Sequence, residues 1–146
     1  MELNIYTSWF PLNIKYGLFD YEIRFVTNNK IIGTNVAGNN ILKNTSKTFD
    51  IPVVVSDKIS KTITENGKIT LYHQSVNDTI IQNIKRKSEQ YFTAYNDMFG
   101  ATNADNLSIT INNFNRTIVY ARPQFISFSI DEKFTENNEK TLAHEI

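Results

Sequence analysis

The sequence predicts an α+β fold: a β-rich first half, then one long helix, three short strands and a closing helix. Two hydrophobic periods, and the switch between them, carry that reading. Between positions 19 and 25, Phe19, Tyr21, Ile23 and Phe25 alternate with Asp20, Glu22 and Arg24, the period of two that buries one face of a strand. Further on, Ile80, Ile81, Ile84, Tyr91, Phe92, Tyr95, Met98 and Phe99 recur at three- and four-residue spacings, which is a helical stripe. The switch falls near His73–Val76 and sets the expected division into a β-rich domain over residues 1–74 and a second domain over 75–146.

The other elements follow from local chemistry. Ile51–Val55 is rich in β-branched residues and reads as a strand, preceded by a polar, Asn-rich loop over Asn39–Asp50. Lys61–Thr64 and Lys68–His73 flank Glu65-Asn66-Gly67. Asn-Gly between alternating segments predicts a hairpin with both central residues at positive φ. Ser75 or Asn77 suits the start of the long helix, and Gly100 sits where a left-handed C-cap belongs. Leu107–Ile111 and Phe125–Ile130 alternate, Thr117–Tyr120 is β-branched and aromatic, and Asn112–Arg116 supplies a polar turn. The closing helix spans Thr135–Ile146, with Thr135 as cap, Glu136 and Glu139 at the positive end of the dipole, and Leu142, Ala143 and Ile146 as its apolar edge.

Composition narrows the function. The 146 residues are 40% apolar and include ten Phe, seven Tyr and one Trp, enough for a packed core. Fifteen basic residues balance fifteen acidic ones, which argues against a nucleic-acid partner, since that role needs a basic face. With no Cys there is neither a disulfide framework nor a thiolate metal site. The N-terminus has no basic, apolar leader pattern and no stretch approaches the ~20 apolar residues of a membrane span. The chain is therefore expected to be soluble, and of the compartments the cytoplasm is favoured.

Two histidines are available for chemistry. His73, beside Gln74 at a strand end, reads as a solvated or capping residue. His144 stands in Leu142-Ala143-His144-Glu145-Ile146 on the closing helix. In H-E-x-x-H, two imidazoles one helical turn apart hold one Zn²⁺, and the Glu between them takes a proton from the metal-activated water. Only the first two letters of that motif are present here. Elsewhere, Trp9, Phe10 and Tyr16 read as packing residues, with ligand stacking the alternative. Lys85-Arg86-Lys87 reads as a solvated helix face. Arg122, next to Pro123, suits either a substrate contact or pairing with Asp131 or Glu132.

The order of these segments resembles the aminopeptidase N-like gluzincin family of zinc metallopeptidases. A helix running Ser88–Gly100 and ending in Phe-Gly, a strand at Leu107–Ile111, two more strands, and a helix reading Thr141-Leu142-Ala143-His144-Glu145-Ile146 resemble the opening of its catalytic domain. Ser8-Trp9-Phe10-Pro11 and Phe49–Val55 resemble elements of its β-sandwich domain. The resemblance implies the end of an N-terminal β-sandwich-like domain followed by the start of a thermolysin-like catalytic domain. It implies His144 as first zinc ligand and Glu145 as catalytic base, with the second His expected at position 148, past the end of this chain. The family's Gly-x-Met-Glu-Asn element has no counterpart, and Arg122–Phe128 occupies that region, so a metallopeptidase is implied and not an aminopeptidase in particular. The implied cofactor is zinc in a longer parent protein and the implied partner its peptide substrate. One imidazole cannot hold catalytic zinc, so the isolated chain is expected to be inactive, to bind zinc weakly at most, and to self-associate through exposed apolar faces. The alternative is a non-catalytic protein-interaction module on a peptidase-like scaffold.

Overall fold

The protein is described from a computed structural model covering residues 2–3, 9–10, 17–33, 36, 40–100, 106–112 and 119–146. Ser8, Pro11, Tyr16, most of the turn expected at 112–116, and residues 117–118 of an expected strand lie outside the described residues. The chain forms two compact units, Met1–Lys58 and Ile59–Ile146.

Among the described residues, the first unit holds five strands: β1 (Glu2–Leu3), β2 (Phe19–Arg24), β3 (Lys30–Gly33), β4 (Ile41–Thr48) and β5 (Val53–Ser56). β5 lies between β1 and β3, and β2 pairs with β4; all of these pairings are antiparallel. Along β2, exposure alternates as the period of two requires, so Phe19, Tyr21 and Ile23 pack toward a core of Phe10, Leu42, Ile51, Val53 and Val55. Val53 and Leu42 have no exposed surface at all. Trp9 sits edge-on to Phe10 at 5.5 Å and its indole N–H donates to the Ile51 carbonyl at 3.3 Å. Trp9 and Phe10 are thus packing residues, with the indole N–H of the half-buried Trp9 satisfied.

One expectation fails in this unit. The Asn-rich segment read as a loop over residues 39–50 contains the eight-residue strand β4. Lys43 and Thr45 are exposed on its outward face, while Leu42 points in. Pairing with β2, including the exposed Lys43–Glu22 ion pair at 2.7 Å, outweighs a composition that favours loops.

The second unit is built on β6 (Ser60–Ile63), β7 (Ile69–His73), β8 (Leu107–Asn112), β9 (Tyr120–Arg122) and β10 (Phe125–Ser129), with helices α1 (Asp78–Phe99) and α2 (Glu136–Glu145). The five strands form one sheet in the order β6-β7-β8-β10-β9. β7, β8 and β10 are mutually parallel in that order, and antiparallel β6 and β9 form its edges. β8 and β10 are buried at nearly every position, as central parallel strands are. The core joins Ile69, Leu71, Ile109, Ile111, Ile126 and Phe128 of the sheet to Ile81 and Ile84 of α1 and Leu142 of α2.

This topology moves the division between units. The hydrophobic period changes near His73–Val76, but β7 pairs in register with β8, from Ile69↔Leu107 to His73↔Ile111. The β6–β7 hairpin therefore belongs with the helices, and the units part at 58/59 and not at 74/75.

The turns also differ in detail. Gly67 has φ 70°, but Asn66 is not among the described positive-φ residues, which are Asn40, Ser75 and Gln124 apart from glycines. The Gly67 N–H bonds to the Thr64 carbonyl at 3.0 Å, and Asn66 Oδ1 accepts from the Lys68 N–H at 2.9 Å. A turn over Thr64–Gly67 that ends on one left-handed glycine, Gly67, thus replaces the expected paired positive angles. Asn77 caps α1, accepting from the Thr79 N–H at 2.8 Å. Gly100 follows with φ 85° and ψ 153°, a glycine conformation but not the left-handed helical one expected. No helix among the described residues is long and apolar enough to cross a membrane.

Candidate functional site

The predicted site lies on α2. Thr135 and Asn138 cap it reciprocally: the Asn138 N–H donates to Thr135 Oγ1 at 3.3 Å and the Thr135 N–H to Asn138 Oδ1 at 2.9 Å. Glu136 and Glu139 in the first turn and His144 in the last complement the helix dipole. Leu142, fully buried, is the one buried residue of the helix. Ile146, one turn on, packs against the same core. That line of contact leaves His144 exposed and Glu145 half-buried.

A second line of contact holds α2 to α1. Lys87 Nζ and the Tyr91 hydroxyl both donate to Glu139 Oε1, at 2.5 and 2.6 Å, and the Tyr95 hydroxyl donates to the Ala143 carbonyl at 2.7 Å. The donors step by four residues along α1 while the acceptors step by four along α2, so the helices run in the same direction. The Tyr91 and Tyr95 rings stack at 6.5 Å. This corrects the reading of Lys85-Arg86-Lys87 as a solvated face for the two lysines, while Arg86 is exposed. Lys87 is only 24% exposed in its pair with Glu139, and Lys85, 21% exposed, reaches Glu65 at 3.7 Å. Both stems lie along the flanks of the apolar stripe and carry their charges to its edge.

The electrostatics of the contact follow. The Glu139 carboxyl is held below its ordinary range by the hydrogen bonds from Lys87 and Tyr91. The Tyr91 hydroxyl is pushed up to about 12 by its bond to Glu139 and by desolvation. Glu139, lowered in the fold, contributes stability present above its unfolded value near 4.5 and lost as pH falls through the folded value. Tyr91, raised, contributes stability fully present below 10 and lost as pH rises toward 12. Urea midpoints measured against pH are therefore expected to decline at both ends, and Tyr91→Phe to remove part of the alkaline decline. An alkaline limb identical in Tyr91→Phe would show that this hydroxyl contributes nothing.

His73 ends β7 and is half-buried; its Nε2 lies 3.0 Å from Thr62 Oγ1 on β6. Burial lowers its pKa, opposed by Asp78. It is a hairpin-bracing residue more than a solvated one. Arg122 Nη1 donates to the Ala121 carbonyl at 2.7 Å on the edge strand β9. An open cavity of about 900 Å³ lies elsewhere, at the N-terminal ends of both helices, lined by residues that include Ser75, Asn77, Ile80, Asp131, Thr135 and Asn138. It stands at the opposite end of α2 from His144, roughly 13 Å away at 1.5 Å per residue, and contains neither predicted site residue.

Among the described residues, no group of three or more His, Asp or Glu side chains is placed to hold a metal ion. His144 and Glu145 are thus neighbours on one helix without the further donors a zinc site needs. Among the described residues, the donors beside His144 are thus fewer than zinc requires.

No protein-family model matches the sequence, and no curated protein does. Solved structures do match. The structure of native yeast LTA4 hydrolase superimposes with a TM-score of 0.57 over 88% of this chain, at 12% identity. The fold is similar to part of a hydrolase. This chain spans 22% of the length of yeast LTA4 hydrolase, and at that identity the likeness is one of fold. It agrees with the α+β architecture expected here, a β-rich block followed by a sheet with two helices. Sequence reasoning missed Lys87, Tyr91, Tyr95 and Glu139 as a connected group. Their spacing of four along α1 was visible as a stripe, but its polar tips carried no separate signal.

Proposed function

We propose that this chain is part of a zinc-dependent metallopeptidase of the aminopeptidase N-like gluzincin kind. Its first compact unit represents the end of a β-sandwich-like N-terminal domain, and its second the start of a thermolysin-like catalytic domain. In this reading His144 is the first zinc ligand and Glu145 the catalytic base, with zinc and a peptide substrate engaged by a longer protein. The observation that carries the proposal is the position of His144-Glu145 in the last turn of α2, within a fold similar to about a fifth of yeast LTA4 hydrolase. The segment order before α2, from the helix ending at Phe99-Gly100 through three strands, supports it.

The test uses the chain extended along its own gene by about one domain, ~200 residues, beside the same protein carrying Glu145→Gln. Stoichiometric zinc in both is expected, with peptide hydrolysis falling at least ~100-fold in the variant, the scale of a lost general base. A well-folded extended protein without zinc and without hydrolysis sinks the reading. A second reading, a protein-interaction module, is supported by Met98 and Phe99, 71% and 76% exposed at the end of α1. Self-association of the chain that Phe99→Ser abolishes would favour it.

A further inference from the structure

The contacts between the helices single out one peptide unit. The carbonyl that accepts the Tyr95 hydroxyl belongs to Ala143, so the amide plane it fixes is the one that continues into His144. Leu142 and Ile146 anchor α2 along a single apolar line. A helix held along one line can roll about it, and the roll would swing His144 and Glu145 together. The polar line of Glu139 and Ala143 lies beside the apolar one and stops that roll. Its donors are braced in turn: Tyr95 stacks on Tyr91, whose hydroxyl shares Glu139 Oε1 with Lys87. Two hydrogen bonds to one carboxylate oxygen make this the stronger end of the contact.

We propose that Tyr95, backed by the Lys87–Glu139–Tyr91 group, is a positioning residue that sets the direction in which α2 presents His144 and Glu145. Its importance for function rests on the peptidase reading above, but its physical content does not. A tyrosine at this place gives two separable things, a ring that packs and a hydroxyl that aims. Tyr95→Phe keeps the first and removes the second.

The experiment is amide exchange and imidazole spectroscopy by NMR on the whole chain, for the wild type, Tyr95→Phe, Glu139→Gln, and Thr93→Ala as an exposed control on α1. Loss of one hydrogen bond of ordinary strength corresponds to roughly a fivefold change in a local equilibrium. Tyr95→Phe is expected to speed exchange of the 143–146 amides about fivefold and to shift the His144 imidazole resonances, with the amides of β8 and β10 unchanged. Glu139→Gln, nearly identical in shape, is expected to act in the same direction. Thr93→Ala is expected to do neither. Exchange in the last turn that matches the wild type in both variants overturns the proposal. So does a rise shared equally by β8 and β10, which would mean only lower global stability. Zinc and hydrolysis play no part in this readout, so a failed peptidase reading and a failed positioning role would be told apart.

Discussion

Leu142→Ala is expected to lower the free energy of unfolding of the second unit by about 3 kcal/mol, in the range for a fully buried leucine cut to alanine. The leucine has no exposed surface and shares the core with Ile81, Ile84, Ile126 and Phe128. The sheet beneath it is hydrogen-bonded strand to strand and cannot sink to fill the space, so a cavity remains. The effect should also be uneven. Leu142 is the one buried residue of α2, whereas α1 keeps Ile81 and Ile84. Amides of α2 should therefore lose protection well before those of β8. Urea denaturation with residue-resolved exchange measures both; a loss below about 1 kcal/mol, or equal loss in α2 and β8, would show that other contacts hold the helix.

Gly33→Ala is expected to destabilise the first unit by about 2 kcal/mol, the scale of forced overpacking. A Cβ at position 33 would meet the Pro52 carbonyl oxygen at 2.7 Å, with Leu42 Cδ2 and Val53 Cα at 3.5 Å. The nearest atom is backbone, next to the residue that pairs with Gly33 across β3 and β5, so it cannot rotate away as a side chain would. Pairing from Ile31↔Val55 to Gly33↔Val53 should open first. Exchange of β3 and β5 amides reads this directly, with β8 amides as the internal reference. An unchanged melting transition would mean that the Pro52 peptide shifts at little cost.

Most of the architecture was legible because it rests on strong periodic burial. The alternation of β2, the stripe of α1 and the capped start of α2 each announce themselves through residues that must be on one face. Three things were not legible. β4 hides behind Lys43, Asn44 and Thr45, whose composition favours a loop until β2 is there to pair with them. The division between units was obscured because β7 finds its partner β8 only across the whole of α1. Met98 and Phe99 continue the helical stripe yet stay exposed, since periodicity says which face is apolar and not how far along it a neighbour extends. For the site, His144-Glu145 was found as a motif fragment, while the hydrogen-bonded stripe that orients it depends on distances between helices that no local pattern encodes.

The strand order β6-β7-β8-β10-β9 also bears on how the second unit assembles in time. Its outer pairs, β6–β7 and β9–β10, are neighbours in sequence and can form as hairpins within microseconds. Its inner pairs, β7–β8 and β8–β10, are parallel and join segments separated by a helix or a strand, which makes them the slow steps of closure. The central strand β8, buried along nearly all its length, is thus the last to find its partners. During that interval two half-sheets with open inner edges coexist, and at high concentration each can be completed by another copy of the chain as well as by its own other half. Refolding yield should then be governed by dilution and by how fast α1 draws β8 alongside β7, more than by the depth of the final energy well.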